Sequence, residues 1–446
     1  MKFLTANRHL SVAFVLGTLA PPPVATADSG VTVPATRSTA TPEAPATVLV
    51  DGRQLVAVRD AVRRRVLKVD VADDDVPPAD HDVISAEHDN LDVAIDRWRD
   101  RAEVAKRIGP WSVVDGGPVP PSGDVHDYTS VGPYWWPDPA RPGGLPYQRR
   151  DGEVNPEYET GDTAARNAMT RAVTDLVHAS YFLDDHDAGR RAAMVLRTWF
   201  LDDATRMKPH LRYGQAIPGR VEGRHIGIID TTGFVRICEA AEMMVGHPAW
   251  TDADDAGLRH WFAEYLEWLT TSPTGIREGE THNNHATWYD VQVARFALFS
   301  GQPDRAREVL RDVGPRRIDP QIAADGSMPL ETERTLGITY SVMNLNGLIA
   351  LAEMADDLDV DLWSYRGSDG AGLEDALRYL EPFIAEQSAW PFTQIRPFRF
   401  DRGRALYRRV AGVYDRHTFR SLSDAYRDPT GNLLSPSPRA DRSLQH

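Results

Sequence analysis

The sequence contains a single cysteine, Cys238, among 446 residues. One thiol cannot form a disulfide within the chain, and its apolar surroundings, FVRICEAAEMM, indicate a small buried core residue. A basic excess is also absent, since 65 acidic and 50 basic residues give a formal net charge of −15. Nucleic-acid-binding proteins need positive charge to offset the phosphates, so this balance argues against nucleic acid as a partner.

No apolar run in the sequence is long enough to span a bilayer. The longest near the start, LSVAFVLGTLA at residues 10–20, follows Lys2 and Arg8 and precedes the small-residue pattern ATA. This arrangement is typical of a secretory signal peptide, so we expect residues 1–27 to be removed on export to the periplasm or the extracellular space. Residues 28–47, rich in Thr, Pro and Ala, predict a flexible leader. A disordered tail is expected over residues 428–446.

Strand-like alternation is scarce, and no glycine-rich turn with dinucleotide-binding spacing occurs. Helical periodicity dominates instead. Apolar residues recur at helical spacing in segments that begin near Met169, Phe234, Leu258, Val342 and Leu373. We therefore expect an all-α catalytic domain over residues 48–427, with about eight to ten helices after residue 80.

Long segments dense in glycine, proline, aromatic and charged residues separate these helices. Two examples are HDYTSVGPYWWPDPARPGGLPYQRRDGEVNPE and RYGQAIPGRVEGRHIGIID. Loops of this length are usually functional or disordered, and their aromatic content argues against disorder. Paired helices with the chemistry in loops at one end predict an (α/α) toroid, an incomplete α/α barrel whose mouth holds the site.

Four hydrogen-bonding side chains stand in a row at His282, Asn283, Asn284 and His285, just before ATWYDVQVARFALF. Each would cost about 1–3 kcal/mol if it were buried without a partner, so the cluster indicates either a helix cap in water or a functional site. Asparagine is a preferred N-cap, which explains one of the four. We expect Asn284 and His285 at the helix start as catalytic candidates, with His282 and Asn283 contacting or supporting a substrate.

Arg334 precedes Tyr340 by six residues in PLETERTLGITYSVMNLNG. Gly337 and Thr339 predict that a helix begins between them, so that Tyr340 projects from its N-terminal end. The positive end of the helix and the Arg334 guanidinium would favour the phenolate, which predicts a Tyr340 pKa below the usual value of about 10.

A tyrosine base combined with an arginine, a histidine and an asparagine suits β-elimination from a uronic acid. The proton on C5 is acidic only when the neighbouring carboxylate is neutralised, and the leaving O4 needs a proton. Asn284, His285 and Arg334 would neutralise the carboxylate and stabilise the developing enolate. Tyr340 would take the C5 proton and return one to O4.

Over roughly residues 110 to 390 the chain resembles the alginate lyase superfamily of polysaccharide lyases. The resemblance rests on YTSVGPYWWPDP, GLPYQRRDGEVNPE, YGQAIPGRVEGRHIGIIDT, NNHATWYDVQ and DGSMPLETERTLGITYSVMNL. It implies a helical toroid that cleaves an anionic polysaccharide without a cofactor. It also implies that Asn284 and His285 match the family's carboxylate-neutralising and base-assisting pair, Arg334 its arginine and Tyr340 its catalytic tyrosine.

One feature departs from the pattern of the best-known alginate lyases of this fold. Those enzymes keep the arginine and the tyrosine one residue further apart than Arg334 and Tyr340. The chain therefore looks similar to a neighbouring branch that includes glucuronan- and alginate-cleaving enzymes.

Further substrate-binding candidates lie in the loops. The aromatic residues suit stacking on sugar rings or wedging under a loop, and the charged ones suit a cationic lining or ordinary surface exposure. They are Tyr134, Trp135, Trp136, Gln215, Arg220, Glu222, Arg224 and His225. His282 and His285 are spaced i, i+3, but no zinc-protease motif accompanies them, and no metal is expected.

Other interpretations remain open at this stage. Tyr340 alone is also compatible with a structural role, and Arg334 with pairing to Glu331 or Glu333. A glycoside hydrolase on the same toroid would use two carboxylates about 5–9.5 Å apart. Its candidates are Asp230, Glu280, Asp290 and Glu331. A secreted polysaccharide-binding protein would keep the aromatic and arginine residues without needing Tyr340.

Overall fold

The computed structural model describes residues 44–67, 81–386 and 389–434. The expected signal peptide, the leader up to residue 43 and residues 435–446 of the expected tail lie outside these ranges. No helix within them is long and apolar enough to cross a membrane.

The described residues form sixteen α-helices and four short strands. The helices are α1 (Gly52–Leu67), α2 (His81–Ala105), α3 (Gly161–Leu183), α4 (His186–Phe200), α5 (Phe234–Met244), α6 (Asp252–Thr271), α7 (Pro273–Gly279), α8 (Asn284–Phe299), α9 (Pro303–Val313), α10 (Asp319–Gln321), α11 (Pro329–Thr332), α12 (Gly337–Asp356), α13 (Leu373–Ala385), α14 (Phe400–Val410), α15 (His417–Asp424) and α16 (Pro429–Leu434). The strands are β1 (Thr129–Val131), β2 (Trp135–Trp136), β3 (Gln148–Arg149) and β4 (Tyr213–Ala216).

Four helices form the inner wall of the fold. α3 packs on α5, α5 on α8 and α8 on α12, while α4, α9 and α13 return the chain along α3, α8 and α12 respectively. This arrangement confirms the all-α (α/α) toroid. The five helical segments predicted from apolar spacing are α3, α5, α6, α12 and α13, but the described part of the chain holds more helices than the eight to ten expected.

Burial separates the inner helices from the outer ones. α8 buries 13 of its 16 residues, including Asp290, Gln292 and Arg295. α9 buries only Ala306, Leu310 and Val313, a single stripe at helical spacing. A helix buried on all sides belongs to the core, and one with a single apolar stripe lies on the surface.

The inner helices run in the same direction. Near the end of α8, Arg295 bonds Glu239 and Glu242 in the second half of α5. Near the start of α8, Trp288 Nε1 donates to the Met343 carbonyl, close to the start of α12. The contact between α8 and α5 lies late in both helices, and the contact between α8 and α12 lies early in both. The three helices are therefore parallel, and α5, α8 and α12 all begin at one rim of the toroid.

The long loop segment from residue 126 to 157 is ordered and lies at this rim. Its strand β1 pairs with β4 in parallel, and β2 pairs with β3 in an antiparallel hairpin. Asp162 in the first turn of α3 accepts hydrogen bonds from the backbone and the hydroxyl of Thr129. The C-terminal end differs from expectation, because residues 429–434 form α16, which packs on α2 where a disordered tail was expected.

We predict that Arg295→Ala destabilises the protein by about 3–5 kcal/mol. The Arg295 side chain is fully buried between Glu239 at 2.7 Å and Glu242 at 2.5 Å, so its loss leaves buried carboxylates without a counter-charge. The free energy of unfolding in urea, measured for both proteins, tests this. Arg311→Ala on the exposed side of α9 is the control and should change the value by less than about 0.5 kcal/mol. Equal stability of the two variants would contradict the prediction.

Candidate active site

The start of α8 lies inside the polar cluster, as the sequence predicts. Asn283 is the N-cap, and its side chain accepts a hydrogen bond from the His285 backbone at 3.2 Å. α8 begins at Asn284, so Asn284 and His285 occupy its first two positions. Asn283 therefore caps the helix, and the side chains of Asn284 and His285 can bond other partners.

Asn284 is held by a buried carboxylate. Its backbone nitrogen and its Nδ2 donate to the two oxygens of Glu331, at 2.6 and 2.7 Å, and the residue is only 1% exposed. Burial raises the pKa of Glu331, although both bonds from Asn284 oppose that shift. Glu331 therefore fixes the orientation of the Asn284 amide and is not the partner of Arg334.

A second buried carboxylate joins two histidines. Glu278, at the end of α7, accepts from Nδ1 of His285 with one oxygen and from Nδ1 of His225 with the other, each at 2.8 Å. Burial alone would raise the pKa of Glu278, but the two histidines hold it below its usual value. An ionised carboxylate only accepts hydrogen bonds, so both Nδ1 atoms carry a proton and each Nε2 is left to face other groups.

Arg334 pairs with the loop that carries β3. Its guanidinium donates to the two oxygens of Asp151 at 3.0 and 3.3 Å, and Thr335 Oγ1 donates to the same carboxylate at 2.9 Å. Although burial works in the opposite direction, these donors lower the pKa of Asp151 to about 2. The described contacts thus join Arg334 to Asp151 and not to Glu331 or Glu333, the partners considered from sequence.

Tyr340 lies in the first turn of α12, which begins at Gly337 as predicted. The Arg334 guanidinium sits 4.3 Å from the centre of its ring, and its hydroxyl bonds the Tyr134 hydroxyl at 2.5 Å. Burial, reinforced by Tyr134, nevertheless raises the Tyr340 pKa well above its ordinary value, and Arg334 offsets only part of that. The expectation of a lowered pKa is therefore wrong, because desolvation of the 7%-exposed residue outweighs the guanidinium.

The two tryptophans of β2 support arginines. The guanidinium groups of Arg220 and Arg224 lie 5.5 and 5.7 Å from the Trp135 ring, and that of Arg150 lies 5.0 Å from the Trp136 ring. Such contacts stabilise and orient a cation. Trp135 and Trp136 thus have cationic partners in the structure, and a sugar ring that stacked there would share them.

Gln215 and Arg224 form one unit at the rim. Gln215 has a left-handed backbone with φ of 49°, and its carbonyl and Oε1 accept from Arg224 at 2.7 and 3.1 Å. Its Nε2 donates to buried Asp230 at 2.8 Å. Burial lowers the pKa of Arg224 to about 10. Gln215 therefore positions Arg224, while Arg220, Glu222 and His282 are exposed.

The four carboxylates considered for a hydrolase have separate surroundings. Asp290 is buried against Arg317 at 2.7 and 3.1 Å, and Asp230 accepts from Tyr128, Ser130, Tyr158 and Gln215. Glu331 bonds Asn284, and Glu280 is exposed. Three of the four are already committed to internal partners. Within the described ranges, no group of three or more His, Cys, Asp or Glu side chains is arranged to hold a metal.

A cavity of about 710 Å³ lies inside the ring and below these residues. Its lining includes Trp288, one turn after Asn284 on α8, and Met343, one turn after Tyr340 on α12. Arg166 and Asp230 line its upper part. The candidate residues therefore stand at the rim, above the ring interior.

Comparisons with known proteins agree with the fold. A family model described as alginate lyase matches residues 113–390. The crystal structure of an alginate lyase from Bacteroides ovatus is 32% identical, with a TM-score of 0.79, and the match covers 88% of this chain and 99% of that one. Alginate lyase A1-III from Sphingomonas species A1 is 16% identical over 88% of this chain and 98% of its own, with a TM-score of 0.53, and shares the fold.

A variant of alginate lyase A1-III in complex with a tetrasaccharide is similar at 15% identity, with a TM-score of 0.55 and coverage of 89% of this chain and 98% of that one. The search of curated proteins gave no match.

We predict that Tyr134→Phe lowers the pKa of Tyr340 while leaving it above 10. The change removes the hydrogen bond that raises this pKa, but the burial that raises it more remains. A pH titration by NMR with tyrosines labelled at Cζ measures it, with Tyr340→Phe identifying the signal. Tyr147→Phe is the control, since Tyr147 bonds Glu157. A Tyr340 pKa that does not fall in Tyr134→Phe would show that the contact has no effect.

Proposed function

Because this chain belongs to the alginate lyase family and is a polysaccharide lyase, we propose that it cleaves a uronic-acid polymer of the alginate or glucuronan type by β-elimination. One observation carries the proposal: the Arg334 guanidinium lies against the ring of Tyr340, which is buried and hydrogen-bonded at a helix start. A cation and a proton-transfer group side by side suit a substrate that has a carboxylate next to a leaving oxygen.

The first task is to neutralise the substrate carboxylate, because the C5 proton is otherwise too weakly acidic. Asn284 and Arg334 supply polar contacts and positive charge, and the starts of α8 and α12 supply partial positive charge at the same rim. Glu331 and Asp151 fix Asn284 and Arg334 before substrate arrives. Donors held in place lose little free energy to reorganisation as the enolate develops.

The second task is to remove the C5 proton. In the neutral imidazole of His285, with Nδ1 donating to Glu278, the Nε2 atom would carry the lone pair and could accept a proton. Glu278 would stabilise the imidazolium that forms, as a buried carboxylate does for a catalytic histidine. We assign this step to His285, whereas the sequence alone assigned both proton transfers to Tyr340.

The third task is to protonate the leaving oxygen. Tyr340 with its raised pKa is a neutral phenol at neutral pH, so it holds the proton that O4 requires. The C5–H bond breaks, its electrons form the C4=C5 double bond, the C4–O4 bond breaks, and O4 takes the proton from Tyr340. The product carries an unsaturated uronate at its new non-reducing end.

Substrate contacts beyond the reacting sugar are assigned to the loops. Tyr134, Trp135 and Trp136 on the hairpin would contact sugar rings, and Arg220, Arg224 and His225 would contact carboxylates. Gln215 would act by holding Arg224. We further propose that the domain extends from residue 48 to at least residue 434, since α16 packs on α2. Residues 1–27 would direct export to a compartment where a polymer too large to cross a membrane is accessible.

We predict that the purified mature chain produces ultraviolet absorbance from an unsaturated uronate on one of four polymers: poly-mannuronate, poly-guluronate, glucuronan or a hyaluronan-type polymer. Tyr340→Phe should lower kcat by about a thousandfold or more, and Asn284→Ala and His285→Ala by about a hundredfold or more, because each removes a transition-state interaction. Tyr147→Phe is the matched control and should retain activity, because the lost hydroxyl bonds Glu157 and none of these residues.

Two results would contradict this assignment. New reducing ends without absorbance would mean hydrolysis. The catalytic candidates would then be the carboxylates considered for a hydrolase. Full activity in Asn284→Ala or His285→Ala would remove the proposed role of the α8 start.

The assignment of Tyr340 as the acid predicts a specific pH profile. A group whose pKa is raised above about 10 stays protonated throughout the neutral range, so kcat/KM should not fall on the alkaline side until above pH 10. If the Tyr340 phenolate were the base, kcat/KM would instead rise about tenfold for each pH unit through the neutral range. Initial rates measured from pH 6 to the limit of protein stability separate the two.

A further inference from the structure

The segment from residue 393 to 402 lies beside the candidate catalytic residues. Gly337 donates its backbone N–H to the Thr393 carbonyl, and Ile395 donates to the Thr335 carbonyl, both at 3.0 Å. Gln394 Nε2 donates to Thr339 Oγ1 at 2.9 Å. The segment is therefore hydrogen-bonded to the stretch that joins Arg334 to Tyr340, and it lies beyond the residues matched by the family model.

The hairpin loop also meets this segment. A Cβ atom added to Gly152 would come within 2.5 Å of Thr335 Oγ1 and 2.9 Å of Ile395 Cδ1. Asp151, the neighbour of Gly152, is the partner of Arg334. The segment, the loop and the catalytic rim thus form a continuous surface.

Three arginines of this segment face solvent. Arg396, Arg399 and Arg402 are exposed, and no ion pair to any of them is found in the described part of the chain. The only acidic residue from 393 to 402 is Asp401, which pairs with Arg404 at 3.2 Å. Arg399 is the N-cap of α14, and Arg402 follows it by three residues, so the two lie on neighbouring parts of one face.

Apolar side chains accompany these charges. Phe392 is 41% exposed and Ile395 is 47% exposed, so both present apolar surface to solvent in this part of the chain. Cationic groups interleaved with apolar surface suit a polymer whose sugars have carboxylates at their edges and apolar ring faces. In a chain with a net charge of −15, a positive surface at this place attracts such a polymer locally.

We propose that Arg396, Arg399 and Arg402 form an outer docking surface for the carboxylates of a long polyuronate chain, away from the bond that is cleaved. The proposal rests on the proposed function, since it takes the polymer to be the substrate of the neighbouring site. The surface increases the affinity for long chains and leaves the chemical step unchanged. Short oligosaccharides, which do not reach beyond the catalytic rim, bind without it.

The test compares the wild type with the combined variant Arg396→Gln, Arg399→Gln, Arg402→Gln. The KM for the long polymer should rise about fivefold or more at low salt, with kcat within about twofold, and the KM for a tetrasaccharide of the same sugar should stay the same. High salt should reduce the difference, because it screens exposed charges. The variant with lysine at all three positions keeps the charge and should stay close to the wild type.

Arg311→Gln, an exposed arginine on α9, is the matched control for loss of positive charge. An unchanged polymer KM in the triple glutamine variant would overturn the proposal. So would an equal rise for the tetrasaccharide, which would place the arginines at the catalytic centre or show a general loss of structure.

A binding measurement separates this proposal from the proposed reaction. Both the wild type and the triple glutamine variant also receive Tyr340→Phe, so that neither cleaves the polymer. Retardation of each protein in a gel that contains the polymer then measures docking without turnover. Retardation that weakens in the triple glutamine variant supports the docking surface even if no elimination is detected on any polymer, a result that would contradict the proposed function alone. Equal retardation with and without the three arginines would overturn the docking surface alone.

Discussion

The common direction of the inner helices is the constraint on which the site depends. Each outer helix returns the chain to the same rim, so α3, α5, α8 and α12 all begin there. Their first residues therefore meet although they are far apart in sequence. Asn284 at the start of α8 bonds Glu331 just before α12, and His285 shares Glu278 with His225 just before α5. The helix starts also bring the positive ends of their dipoles to one rim, which favours an anionic ligand.

Buried or half-buried carboxylates hold each candidate side chain in this rim. Glu278, Glu331 and Asp151 orient His285, Asn284 and Arg334 respectively, and none of the three needs to contact substrate to do so. The candidate anion site thus lies on a layer of negative charge that consists of these three carboxylates. That layer weakens the net field but fixes the geometry, and fixed donors stabilise a developing charge better than mobile ones do. In the proposed reaction, this arrangement would favour a carboxylate in one position over negative charge in general.

The sequence predicts those parts of the structure that depend on local chain properties. Apolar spacing located α3, α5, α6, α12 and α13, and the polar cluster and Gly337 located the starts of α8 and α12. Glu278 and Asp151 were missed, because their partners are set by how loops fold over the rim and no local pattern marks them. The Tyr340 pKa was predicted in the wrong direction for a related reason: the nearby guanidinium is readable from spacing, but the depth of burial and the contact with Tyr134 are not.

The acidic balance of the chain and a polyanionic substrate are compatible because charge acts locally in salt solution. Exposed charges further apart than about 8–10 Å are largely screened at physiological ionic strength, so a polymer at the rim responds mainly to the groups beside it. In the proposed complex it would meet Arg220 and Arg224 on the Trp135 side and Arg396 and Arg399 on the side of residues 393–402. Arg224 is partly desolvated, which strengthens its interaction with a carboxylate, whereas Arg396 and Arg399 are exposed and act weakly one by one. In the proposed complex, strong contacts would therefore lie close to the cleaved bond and weak, additive ones along the polymer. Such a distribution would let the enzyme hold a long chain and still release its products.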